Sequence, residues 1–184
     1  MATQPAIPVA PAQADAKHQV HPIANAGIVL AAPYLPRLFE LLGLVHDGAF
    51  VNTATAERAA LLLQLAVTGE ARAAESALPL NKLLCGLPLD WPVPTELEPT
   101  AAERERVEGM LQAIIGHWKA IGQTSLAGLR LNFLQRPGQL EYGTESCKLQ
   151  VQRQSLDLLI ERLPWGFSTI RYPWISQVLH VRWP

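Results

Sequence analysis

Cys85 and Cys147 are all the thiol chemistry this chain offers. A chain of this size can bury a core without a disulfide, so the pair reads as reduced thiols of a cytosolic protein. There is no C-x-x-C and no histidine pair at metal-ligand spacing; His18, His21, His46, His117 and His180 are scattered along the chain. Gly-rich phosphate loops and the G-x-S-x-G elbow are also absent, which removes the usual signatures of nucleotide binding and of serine hydrolases. Charge is sparse: Asp, Glu, Lys and Arg make up 17% of the residues, against about 25% in a typical soluble domain. Part of the surface should therefore be apolar or covered by a partner. The formal net charge is −1 and the isoelectric point about 6.5. Such a balance lacks the clustered Lys and Arg that unspecific nucleic-acid binding requires. Long hydrophobic runs are missing too. Ala26–Pro36, interrupted by Pro33, and Ala59–Val67 fall well short of the roughly 18 residues of a bilayer span. With no polybasic anchor either, no direct membrane insertion is expected. The N-terminus lacks the basic start and continuous apolar stretch of a signal peptide.

Proline, by contrast, is abundant, and much of the chain's organisation can be read from it. In Leu78–Pro94, Pro79 suits a helix start, and Leu80, Leu83, Leu84 and Leu87 fall at i, i+3, i+4 and i+7. Gly86 and Pro88 end that helix, and Pro92 and Pro94 impose an extended exit. It reads as a hydrophobic plug on a stiff arm. Before it, residues 1–22 form an Ala/Pro-rich arm with little to bury, expected to be flexible or polyproline-like. From 23 to 184 the chain reads as a single domain.

Ile23–Leu44 predicts two short helices separated by Pro33 and Pro36, with Asn25 as a cap and Leu38, Leu41, Leu42 and Val45 facing inward. A turn follows at His46-Asp47-Gly48. Asn52 or Thr53 caps a helix to about Thr68, with Gly69 just beyond its end. Leu61 and Leu65 lie off its main apolar face, so it should be buried on several sides at the centre of the domain. Thr100-Ala-Ala-Glu103 is a capping box opening a helix to Ile121, with Val107, Met110, Leu111, Ile114, Ile115 and Trp118 inward. Glu103, Arg104, Glu105, Arg106, Glu108 and Lys119 should face water. Ser125–Gln135 predicts another short helix. Alternation in Gln139–Tyr142 and Cys147–Gln152 predicts a β-hairpin. A helix over Gln154–Leu163 should bury Leu156, Leu159, Ile160 and Leu163, and two short strands should flank Pro173-Trp174. The expected class is α+β: mainly helical, with about five to seven helices and a small antiparallel sheet in the C-terminal third.

Three groups of side chains invite a functional reading. Cys85 and His117 form one nucleophile–base pairing that spacing alone leaves open, but Cys85 lies in an apolar run, where a thiol behaves as a small buried hydrophobe. Asn81 and Lys82 interrupt the plug. Either they lie on its exposed side, with Lys82 snorkelling, or they make a polar contact with a partner subunit. Trp165, Phe167, Tyr172, Trp174 and Trp183 crowd the last 20 residues. Such a cluster is either interface anchor or core of a small sheet.

Five blocks carry a resemblance to a known family: Ala24–Leu44, Glu57–Glu70, Leu80–Leu89, His117–Leu140 and Leu149–Ile175. In this order they resemble the domain of tape-measure proteins of bacterial contractile injection systems, the phage-tail-like particles that bacteria use against other cells. The resemblance runs from about Ala24 to Trp183. It implies a non-enzymatic assembly component with no cofactor, which sets the length of inner tube and sheath. The implied partners are inner-tube, baseplate-hub or cap proteins, with a second copy of the chain also open. The implied location is the cytoplasm during assembly and then the particle. Length is the departure. All 184 residues in one helix would reach roughly 280 Å, yet the chain is broken by 15 prolines. An accessory cap, adaptor or chaperone of the same particle is the alternative, and a small Cys85-dependent enzyme the reading from another class.

Overall fold

The computed structural model describes residues 19–184. At its centre is α2, Thr53–Thr68, started by a reciprocal cap in which Asn52 accepts from Thr55 N–H and Thr55 Oγ1 accepts from Asn52 N–H. Gly69 ends it in the left-handed conformation, at φ 77°. Every residue from Ala59 to Val67 is buried, as expected of a helix apolar on all sides.

Around α2 lie α1 (Leu35–Leu41), the plug helix α3 (Pro79–Leu84), α4 (Ala101–His117) and α5 (Leu126–Leu129), which continues into a π turn over Arg130–Leu134. The capping box of Thr100 and Glu103 forms. Ala26–Tyr34 is a 3₁₀ helix, with Ala26–Ala32 buried throughout.

Five strands form one sheet in the order β1-β4-β5-β7-β6: β1 Gln19–Ile23, β4 Gly138–Tyr142, β5 Ser146–Val151, β6 Thr169–Ile170 and β7 Val178–Arg182. A two-residue hairpin, β2 Val45–His46 with β3 Ala49–Phe50, turns at Asp47 and Gly48, both at positive φ. In the large sheet the alternation is strict. Leu140, Cys147, Leu149, Val151, Leu179 and Val181 are buried against the helical layer, while Gln139, Glu141, Lys148, Gln150, His180 and Arg182 are exposed.

The architecture is the α+β class that the sequence predicts, with several corrections. The sheet is mixed, because β5 and β7 run parallel; a crossover containing a 3₁₀ helix and β6 makes that pairing reachable. Residues 1–18 of the expected arm lie outside the described residues, but residues 19–22 belong to β1, held by β4 across the register Gln19↔Tyr142 to Ile23↔Gly138. Asn25 caps nothing with its side chain. Leu41 is 42% exposed, because α1 ends there and turns its last residue outward. Helix α4 stops at His117, and Lys119–Ile121 is a separate 3₁₀ turn. Glu103 is buried rather than solvated: the Arg58 guanidinium pairs with it while it caps α4. That pairing holds its carboxyl below the usual range. Finally, Ser155–Arg162 is a 3₁₀ helix, whose period of three turns Asp157 and Ile160 inward and leaves Leu156 and Leu158 exposed.

The 3₁₀ strut Ala26–Tyr34 touches the π turn so closely that a Cβ on Gly27 would lie 1.7 Å from Phe133 O and 2.6 Å from Leu134 Cα. Both obstacles are backbone, so no rotamer change relieves them. Gly27→Ala should therefore cost about 3 kcal/mol or more, seen as a lower urea midpoint. Gly116→Ala, where a Cβ meets nothing, should instead gain up to about 1 kcal/mol as ordinary helix propensity.

Candidate functional site

Pro33 and Pro36 end the regular hydrogen bonding of the strut. In a 3₁₀ pattern the N–H of residue 33 would bond Leu30 O, and in an α pattern that of residue 36 would bond Ala32 O; proline has neither. Aromatic side chains from the far end of the chain supply the donors. Trp165 Nε1–H donates to Leu30 O at 2.9 Å, and the Tyr172 hydroxyl donates to Ala32 O at 2.6 Å. The end of α3 repeats the arrangement: Pro88 lacks the N–H that would reach Leu84 O, and Trp174 Nε1–H donates there at 2.9 Å. Each bond joins the C-terminal block to the helical layer.

The five aromatic residues that the sequence groups together are thus three separate sites. Tyr172 stacks on Trp174 at 4.9 Å between centroids, and Trp174 meets Phe50 and Phe39 at 5.4 and 6.1 Å. Trp165 meets Tyr34 edge-on at 5.2 Å; the Tyr34 hydroxyl in turn shares a 2.7 Å hydrogen bond with His117 Nδ1. Phe167 meets Trp183 edge-on at 5.7 Å. Tyr172 is buried, which raises its hydroxyl pKa. Trp165, Phe167, Trp174 and Trp183 are half-buried.

Trp183 leads to a buried ion pair that the sequence does not announce. Arg136 is fully buried, and its Nη2 donates to Asp157 Oδ1 at 2.6 Å. Asp157 Oδ2 accepts from Trp183 Nε1–H and from Gln154 N–H, both at 2.9 Å. The guanidinium lies 5.3 Å from the Trp183 ring centre. Burial pushes the Asp157 carboxyl up, but the Arg136 guanidinium and the two N–H donors outweigh it and hold the carboxyl below its ordinary value.

Asn81 and Lys82 are also corrected. Neither lies on an exposed side of the plug: relative exposure is 0% and 2%. Helix α3 is enclosed all round, so its polar residues are satisfied internally. Asn81 Nδ2 donates to Ala60 O at 2.9 Å, and Asn25 Nδ2 lies 2.8 Å from Asn81 Oδ1 and 2.9 Å from Gln64 Oε1. Lys82 Nζ donates to Leu89 O at 3.0 Å and pairs with Glu75. Asn81 and Lys82 tie the plug to its surroundings within the chain.

Cys85 is 1% exposed, and burial pushes its thiol pKa far up, so the thiolate needed for nucleophilic attack is suppressed. His117, the suggested base, is engaged with Tyr34. Among the described residues no group of three or more His, Cys, Asp or Glu could hold a metal ion. No helix there is long and apolar enough to cross a membrane. Residues that the sequence reading misses are Leu156 and Leu158, at 43% and 63% exposure on either side of Asp157. An α-helical period conceals them, and no local signal announces the 3₁₀ period.

Compared with known families, residues 3–183 match the model described as contractile injection system tape measure protein. No curated protein and no solved structure matches the chain.

Two measurements test this site. Trp165→Phe keeps an aromatic ring, though a smaller one, but leaves Leu30 O without the indole donor, and should cost about 1–3 kcal/mol. Pro33→Ala restores a backbone N–H, so the same change in that background should cost less; a double-mutant cycle on urea midpoints reads the difference. The second concerns acid. The folded Asp157 pKa lies below the unfolded value near 3.9, so its contribution is fully present above that value and is lost as pH falls through the folded pKa. Stability should drop between about pH 5 and pH 2, and less steeply in Asp157→Asn, with Glu103 supplying the remaining slope. At neutral pH Asp157→Asn should itself cost about 3–5 kcal/mol, because Arg136 is left buried and unpaired.

Proposed function

The chain belongs to the contractile injection system tape measure protein family, and on that premise we propose that it is a non-enzymatic assembly component acting as a folded anchor for tube growth. The observation that carries this reading is dimensional. Helix α4, with 17 residues the longest among those described, spans only about 25 Å, and the elements around it fold back on one another. A folded block of this kind holds position and contacts neighbours; it does not measure distance by its own extension. Inner-tube, baseplate-hub or cap proteins are the partners proposed for it, met in the cytoplasm during assembly and kept in the particle.

For the contact surface we favour exposed Leu156 and Leu158, the chain neighbours of Asp157, together with half-buried Trp183, which bonds that residue, and Phe167, edge-on to Trp183. Trp183 closes on Asp157, and the two leucines flank that residue. Apolar side chains exposed next to anchored aromatics suit a protein interface. Trp165 and Trp174 are weaker candidates, because their indole N–H groups are already committed inside the chain.

Electron microscopy of particles made with the gene intact, deleted, or carrying Leu156→Glu and Leu158→Glu tests both statements. Absent, shifted or broadened tube lengths on deletion support the anchoring role, and the same defect from the exposed double variant, with thermal stability unchanged, supports the contact surface. Particles of unchanged number and length after deletion would overturn the role in tube growth and favour an accessory one.

A further inference from the structure

Residues 164–184, which supply the aromatic donors, form a strap laid over the rest of the domain. Much of its packing is its own: β6 pairs with β7, Val181 N–H donates to Ser168 O at 2.8 Å, Tyr172 stacks on Trp174, and Phe167 meets Trp183. Among the described residues, its backbone bonds the backbone of the rest of the chain along a single ladder, where β7 runs parallel to β5 from Ser146↔Val178 to Gln150↔Arg182. Beyond that ladder it is held by side chains. Trp165, Tyr172 and Trp174 reach the three carbonyls, Trp183 reaches Asp157, and the Gln177 amide donates to Gly143 O at 3.3 Å.

Few residues of the strap are buried. Ile170, Tyr172, Ile175, Leu179 and Val181 are, whereas in α2 every residue of Ala59–Val67 is. A terminal segment with few buried apolar side chains opens at a lower free energy than the core it covers, and it leaves without threading through the fold. Its attachment is short. The 3₁₀ helix ends at Arg162, Leu163 is extended at φ −69° and ψ 127°, and Trp165 is already bonded to Leu30 O. Pro164 fixes its own φ and presses Leu163 into that extended form. The link can therefore keep one shape whether the strap lies on its own body or on another.

We propose that residues 164–184 exchange between copies, the strap of one chain occupying the seat of a second. An opened seat presents the unpaired edge of β5 beside the side chains that the strap had covered, and such an edge is a template for another chain. The features of the seat select its occupant. It takes a strand parallel to β5, an indole donor for Leu30 O, a hydroxyl for Ala32 O, and indole donors for Leu84 O and Asp157. A second copy's strap carries these in the required order. Both arrangements then make the same contacts, so exchange has a low cost, and short hinges favour it. Reciprocal exchange closes a two-fold dimer. At high protein concentration the second copy competes with the chain's own strap, whose effective concentration is set by the link.

Two single variants of the full chain, Lys148→Cys and His180→Cys, test the proposal. The two positions are exposed cross-strand neighbours on β5 and β7, so the fold is expected to persist and a disulfide between them is within reach. The variants are mixed at high concentration in urea at the foot of the unfolding transition, returned to buffer and oxidised with diamide. A dimer whose yield rises with protein concentration is expected, with a disulfide from position 148 of one chain to position 180 of the other, mapped by mass spectrometry of peptides. The double variant, Lys148→Cys with His180→Cys, oxidised when dilute, ties the strap to its own body. Its dimer yield should fall by about tenfold or more and recover on reduction, which separates a tied strap from a damaged fold. A monomer at every concentration, a dimer without the 148–180 bond between chains, or a yield indifferent to the tie would overturn the proposal. None of these outcomes depends on the role in tube growth.

Discussion

A proline inside or just after a helix leaves a carbonyl without its regular donor, and in a buried segment that carbonyl must find another or cost on the order of 1–3 kcal/mol. Pro33, Pro36 and Pro88 do this at Leu30, Ala32 and Leu84, and the donors come from Trp165, Tyr172 and Trp174. The sequence separations in these bonds are 135, 140 and 90 residues. The layers are therefore joined by specific long-range hydrogen bonds as well as by apolar burial. Other contacts follow from the same joints. Trp174 must approach the end of α3 so closely that residue 86 has to be glycine, since a Cβ there would lie 2.4 Å from Trp174 O at a positive φ of 70°.

Polar groups reinforce this arrangement at two further depths. The Asn25, Gln64 and Asn81 amides join the strut, α2 and α3 beneath the plug. Arg136 and Asp157 join the end of the π turn to the 3₁₀ helix that leads into the last strands, and Trp183 closes over them. Buried pairs of this kind add less net stability than apolar packing of equal volume, but removing one partner is expensive. They oppose alternative packings of a core made mostly of Leu and Ala.

For function, this bonding leaves few side chains free to do chemistry. The thiols are buried, the plug's polar residues are satisfied internally, and most of the aromatic donors are committed. Among the described residues, exposed apolar side chains include Leu156 and Leu158 on either side of Asp157 and Leu131 on the π turn. That inventory suits an assembly component of a contractile injection system, whose work is to hold neighbours in place.

Local rules made much of this legible in the sequence. Helix α2 with its Asn52 cap, α4 with its Thr100 and Glu103 box, the β4–β5 hairpin and the plug's apolar stripe all depend on residues a few positions apart, where propensity and capping act. The blocks that resemble the family were readable for the same reason. What only the tertiary structure decided depends on partners far away in the chain. Prolines 33, 36 and 88 were visible as breakers and the tryptophans as anchors, but nothing local states that one group supplies the donors the other withholds. Likewise Asn81 and Lys82 read as surface because their burial is imposed by α2 and the segment around Glu75. Leu156 and Leu158 read as core because an α period and a 3₁₀ period differ by only 0.6 residue per turn. It is the bond from Arg136 to Asp157 across the fold that fixes which side of that helix faces in.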